Sequence, residues 1–171
     1  MLRLFLPRSA LLAACALVAG CSTATPRPSA KAAPADVDRI VYEIGPCRGT
    51  CPVYSVSIVA DGITYFEGLQ HTARSGRVPA DGTPSLFAAV RDRLARVRPA
   101  HSETISHPQC TLYATDQQVV TVTWMGSNRE PVSLAFDLGC RDERFAELRA
   151  SLSAARRLLP VDAFVGRATD F

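Results

Sequence analysis

Lysine is almost missing from this 171-residue chain: of its 19 basic residues only Lys31 is a lysine, and the others are arginines. Those arginines do not form the strongly basic face that sequence-independent nucleic-acid binding requires, so nucleic acid is not an expected partner. Also missing is an apolar run of the roughly 20 residues that a membrane-spanning helix needs. Ala10 to Ala19 is too short, and no later stretch offers another candidate. There is no internal repeat, no Gly-x-Ser-x-Gly elbow, no Gly-rich phosphate loop and no His-Glu-x-x-His helix. The acidic residues are scattered rather than paired for general acid and base work. With no positive ground for catalysis, the expectation is a protein that is not an enzyme and carries no cofactor.

What is present begins with an export signal. Arg3 and Arg8 precede the apolar run, and small residues follow it. That is the layout of a bacterial secretory signal over residues 1–20. Without these two arginines the remaining basic residues nearly balance the 16 acidic ones, and the basic excess disappears. Val18-Ala19-Gly20-Cys21 resembles the lipobox of bacterial lipoproteins. The resemblance implies cleavage before Cys21, a diacylglyceryl thioether on its sulfur and acylation, palmitate included, of its new amine. Only a cysteine there supplies both a thiol and, after cleavage, an α-amine; the alternative is an ordinary cleavage site with a chance cysteine. Several acyl chains, at about 0.8 kcal/mol per buried CH₂, would hold the protein permanently to lipid. Ser22 after the cysteine implies the outer membrane, facing the periplasm.

Residues 21–36 read as the lipidated cysteine and a tether. Pro26, Pro28 and Pro34 lie among Ala, Ser and Thr with no hydrophobic periodicity. At about 3.1 Å per residue such a tether reaches roughly 45 Å. Residues 37–171 then form a single domain.

The domain is organised around Pro46-Cys47-Arg48-Gly49-Thr50-Cys51-Pro52-Val53-Tyr54, a Cys-x3-Cys-Pro-x-Tyr segment between two alternating runs. Ile40, Tyr42 and Ile44 mark a strand before it; Tyr54, Val56, Ile58 and Ala60 mark one after it. Asp61-Gly62 reads as a two-residue hairpin turn, which sets Ala60 opposite Ile63 and Ile58 opposite Tyr65. Glu67 then falls opposite Val56. Gln70 to Val78 reads as a weak edge strand or loop. Thr83-Pro84 looks like a helix cap followed by proline in the first turn. Leu86, Phe87, Val90, Leu94 and Val97 give that helix an apolar stripe, and Pro99 closes it. Its arginines, Arg91, Arg93, Arg96 and Arg98, lie mainly on the other face. Residues 99–116 are irregular. Val120, Val122 and Trp124, then Val132, Leu134, Phe136 and Leu138, describe a second hairpin. Phe145, Leu148, Leu152, Ala155 and Leu159 recur at helical spacing up to Pro160. The expected fold is α+β: an antiparallel sheet of two hairpins covered on one face by two amphipathic helices.

Cys15 leaves with the signal and Cys21 serves the anchor, so Cys47, Cys51, Cys110 and Cys140 remain. In an oxidising envelope that even number suggests two disulfides, with three connectivities open. Proximity, and a Gly49 able to bend the chain, favour Cys47–Cys51. Cys110–Cys140 would then clamp the ends of the later hairpin unit and tie down the irregular loop. Chain entropy gives about 3.7 kcal/mol for that longer loop and about 2 for the short one.

The Cys-x3-Cys-Pro-x-Tyr segment with its Asp-Gly hairpin is similar to a bacterial family of unknown function, closely over Ile40 to Gly68 and more loosely to the last helix. That family is common in exported and lipid-modified proteins, and the resemblance brings no activity, cofactor or catalytic residue. The same segment is also similar to the thiol motif of thioredoxin-type copper-delivery proteins, in which two thiolates and a distant histidine bind the metal. On that alternative, Cys47, Cys51 and either His101 or His107 would hold copper. Against it, that fold places a helix directly after the motif, and here a strand pattern follows. His101-x5-His107-x2-Cys110 matches no common zinc spacing. The expectation is therefore a lipid-anchored envelope protein acting as a binding or structural module, with an envelope protein as partner. The alternatives are a thiol-redox or copper-handling protein and an inhibitor of an envelope enzyme.

Overall fold

The computed structural model describes residues 37–166. The predicted signal at 1–20, the lipobox with Cys21, the tether at 22–36 and the last residues of the tail lie outside the described residues.

Among the described residues seven strands form one sheet, in the order β4-β3-β2-β1-β6-β7-β5. The strands are β1 (Arg39–Ile44), β2 (Val53–Val59), β3 (Thr64–Gln70), β4 (Gly76–Ala80), β5 (Glu103–Ile105), β6 (Val119–Gly126) and β7 (Arg129–Asp137). The helices are α1 (Pro84–Leu94), α2 (Ala146–Leu158) and the single turn α3 (Asp162–Val165). The protein is thus α+β.

β1 lies between β2 and β6 because every second residue of all three strands is apolar and large. Phe66, Val56, Tyr42, Val122 and Leu134 form one row across five strands, in register and buried. Phe87, Val90 and Leu94 of α1 and Leu152 and Ala155 of α2 join the same core. α1 starts where its cap predicts, with Thr83 Oγ1 accepting from the Leu86 amide at 3.0 Å. Its regular part stops at Leu94, before Pro99, and Val97 packs against the core from the turn that follows.

Two expectations need correction. The turn after β2 has three residues, Ala60, Asp61 and Gly62, not two. The Gly62 amide donates to Val59 O at 2.8 Å and the Val59 amide to Ile63 O at 2.9 Å, with Gly62 at φ 94°. The added residue slips the register by one, and a one-residue slip turns every side chain over. Ile58 therefore faces Thr64, Ser57 faces Tyr65 and Val56 faces Phe66. Phe66 enters the core while Ile63 is 53% exposed. Glu67 pairs with Ser55 and stays in water, which removes the awkward placement of a carboxylate opposite Val56.

The sheet is also mixed, not all antiparallel. β5, inside the segment read as irregular, pairs parallel with β7 through Glu103–Leu134 and Ile105–Phe136. With three residues and only Ile105 buried, it shows no alternation to read.

Candidate functional site

The Cys-x3-Cys segment is the connection between β1 and β2. Gln118 fixes both of its ends: Nε2 donates to Gly45 O and to Pro52 O, each at 2.8 Å. The Gly45 amide adds a bond to Val119 O at 2.8 Å. Between these anchors Cys47 and Cys51 are joined in a disulfide, Cα to Cα 5.8 Å. Arg48 projects outward with its side chain 85% exposed, and Asp116 Oδ1 lies 3.8 Å from its Nε. So exposed a pair contributes little to stability. Residues 47–52 line one side of a groove of about 470 Å³, and Val165 and Gly166 line the other.

Tyr54, the last residue of the motif, belongs to the core. Its ring stacks on Phe66, with centroids 5.5 Å apart, and Phe66 in turn stacks on Phe164. Its hydroxyl accepts from Arg156 Nε at 2.6 Å, and Arg156 Nη1 also holds Asp162 Oδ1 at 3.0 Å. One arginine of α2 thereby ties β2 to α3. Tyr42 donates to Leu152 O at 3.1 Å. Burial pushes both phenols above their ordinary range, and the Arg156 charge partly offsets this at Tyr54. The sequence carried no sign of the Tyr54–Arg156 contact, whose partners are 102 residues apart.

The second disulfide joins Cys110 to a fully buried Cys140, Cα to Cα 5.5 Å. Beside it Asp142, its side chain 6% exposed, accepts from the Leu112 amide at 2.6 Å. It also accepts from the Thr111 amide at 3.1 Å and from Thr111 Oγ1 at 3.0 Å. The bond from Leu112, then that from Thr111, holds this carboxyl below the usual carboxylate range. Arg149 Nη1 donates to Asp142 O at 2.8 Å, and Arg144 donates to Gln109 O. Asp137 acts as a turn residue: its Oδ1 accepts from the Gly139 amide at 2.8 Å. Its Oδ2 takes the Tyr113 hydroxyl at 2.7 Å, which raises the phenol's pKa. The segment read as irregular is tied down at most of its turns.

The residues weighed for copper are not assembled for it. Cys47 and Cys51 share a bond, and β2 follows them, so no helix N-terminus faces the sulfurs. His107 packs its ring on Tyr113, with centroids 4.5 Å apart, in a short 3-10 turn. His101 is exposed. Among the described residues no group of three or more His, Cys, Asp or Glu is arranged to hold a metal ion.

The outward face of the sheet has a different character. Ser57, Val41, Thr123 and Ser133 form one row, and Ser55, Glu43, Thr121 and Ala135 the next. Small and β-branched residues dominate, and each keeps part of its surface in water. The buried side chains of α1 and α2 belong to the opposite face.

These features define a disulfide-bonded α+β domain built on one mixed sheet. The chain belongs to the DUF6438 family, a domain of unknown function, whose pattern matches residues 38–157. The match runs from just before β1 almost to the end of α2, so it takes in the whole sheet and both disulfides. No curated protein matches the chain.

Proposed function

We propose that this is a lipid-anchored envelope protein whose domain works as a non-catalytic binding or structural module, with the outward sheet face as its contact surface. In this reading Cys21 carries the acyl chains, residues 22–36 are the tether, and the protein sits in the outer membrane facing the periplasm. The resemblance of Val18-Ala19-Gly20-Cys21 to a lipobox supports the anchor.

One observation carries the binding reading. Four adjacent strands, β2, β1, β6 and β7, present two rows of side chains, all short or β-branched except Glu43, on a face that α1 and α2 do not pack against. Short, β-branched or hydroxyl-bearing side chains lose little rotamer entropy when covered, so such a face can be buried at low cost. An envelope protein is the expected partner.

Two measurements test this. Metabolic labelling of the full chain in a bacterial host with radioactive palmitate is expected to label the wild type and to fail for Cys21→Ala; an unlabelled wild type would remove the anchor. A partner retained on the anchored protein through purification is expected to be lost in Ser57→Arg and in Thr123→Arg and kept in Arg93→Glu, on α1. Retention by both sheet variants would rule out the outward face as the contact surface.

A further inference from the structure

The two disulfides differ in how deeply one of their sulfurs is buried and in how firmly their loops are tied, although Cys110 is partly exposed, as Cys47 and Cys51 are. Cys140 has no exposed surface, and its loop is cross-tied by Asp142, Arg149 and the Tyr113–Cys140 backbone bridge. Cys47 and Cys51 are both partly exposed and lie outside the sheet. Only three residues separate them, and closing so short a loop restrains the unfolded chain less than closing the longer one. Gln118 holds Gly45 and Pro52 on either side of the pair. The ends of the loop therefore stay in place whether or not the sulfurs are bonded, and opening the bond does not require opening the sheet.

Gly49 adds a directional feature. A Cβ at this position would lie 3.7 Å from Cys47 Sγ, in van der Waals contact, and Gly49 has no positive φ that calls for glycine. The missing side chain therefore leaves one flank of the Cys47 sulfur uncovered. Arg48, exposed between the two cysteines, adds a positive charge near the pair that Asp116 Oδ1, 3.8 Å away, partly offsets, and the groove of about 470 Å³ gives the attacking molecule room. A thiolate displaces one sulfur of a disulfide from the other, so access to the attacked sulfur is one of the factors that govern the rate, with the acidity of the attacking and leaving thiols.

We propose that Cys47–Cys51 is a thiol–disulfide exchange site whose reaction partner is a dithiol, free or carried on an oxidoreductase, attacking at Cys47 Sγ. The partner's first thiolate bonds to Cys47 Sγ, the Cys47–Cys51 bond breaks, and Cys51 leaves as a thiolate and takes up a proton. The partner's second thiol then attacks its own sulfur in the mixed disulfide and releases Cys47 as a thiol. The partner becomes a disulfide, and its two electrons and two protons pass to Cys47 and Cys51. Reduction would relax the loop that lines the groove and leave the core intact. This proposal stands independently of the sheet-face reading above.

The test uses the oxidised full chain without denaturant. Dithiothreitol is added, samples are quenched with N-ethylmaleimide and the peptides are mapped. Cys47 and Cys51 are expected to become alkylated at least ~10-fold sooner than Cys110 and Cys140. Gly49→Val is expected to slow that opening several-fold while the circular dichroism and the Cys110–Cys140 bond stay as in the wild type. Independently of any variant, a thioredoxin whose second active-site cysteine is serine should be trapped on the wild-type protein through Cys47. Opening of both pairs together, wild-type rates in a folded Gly49→Val, or a trapped thioredoxin found on Cys51 or not found at all would overturn the proposal.

Discussion

Gln118 reaches back 73 residues to Gly45 and donates to its carbonyl at 2.8 Å, while the same nitrogen bonds Pro52 O at 2.8 Å. One side-chain amide from the residue just before β6 thus closes the base of the cysteine loop. Replacing it with leucine leaves two partly buried carbonyls without that donor, at about 1–3 kcal/mol. Glutamate should be at least as costly, since it brings an acceptor to two acceptors. Urea unfolding of Gln118→Leu and Gln118→Glu measures both.

The register of the β2–β3 hairpin is tested by adjacent aromatics. Phe66→Ala empties a core position and should cost about 3–5 kcal/mol. Tyr65→Ala removes a ring lying outside under Arg77, 4.1 Å from its guanidinium carbon, and should cost about 1 kcal/mol or less. The reverse order would mean the two-residue turn was the true one.

Removing the disulfides one at a time should separate their structural roles. The Cys110→Ser, Cys140→Ser double variant is expected to lose about 3–4 kcal/mol, and the Cys47→Ser, Cys51→Ser variant about 2 or less. Thermal unfolding of each against the wild type gives the comparison.

The pH dependence follows from the named ionisable groups. Asp142 is held below its ordinary range, so its contribution is present above the unfolded carboxylate value and is lost as pH falls through the folded one. Asp142→Asn should flatten that acid limb. Tyr42 and Tyr54 are pushed up by burial, so their contribution is complete below pH about 10 and is lost as pH rises through the folded values. Tyr42→Phe should reduce the alkaline loss. Unfolding midpoints across the two limbs decide both.

Much of this was written in local pattern. The strands β1, β2, β6 and β7 alternate over most of their length, and Thr83-Pro84 announces α1, so their inward faces could be read directly. The hairpin register could not, because Asp61-Gly62 serves two-residue and three-residue turns alike and the choice depends on where Val59 and Ile63 bond. β5 was hidden because three residues with one buried side chain have no period. Arg156 looked like any surface arginine near a helix end, and only the fold brings it to Tyr54. The cysteine loop was visible as a motif, but nothing local pointed to Gln118 as its clamp. The open sheet face follows from strand order, which pairs Ser57 and Thr123 on either side of Val41.

The central claim, that the outward sheet face is the working surface, is tested most directly by placing a photo-crosslinking amino acid at Ser57, at Thr123 and, as a control, at Arg93 in the full chain in living cells. The account predicts a discrete adduct to the same envelope protein from Ser57 and Thr123 and none from Arg93. Adducts from Arg93 with none from the two sheet positions would contradict it and move the contact surface to the helical side.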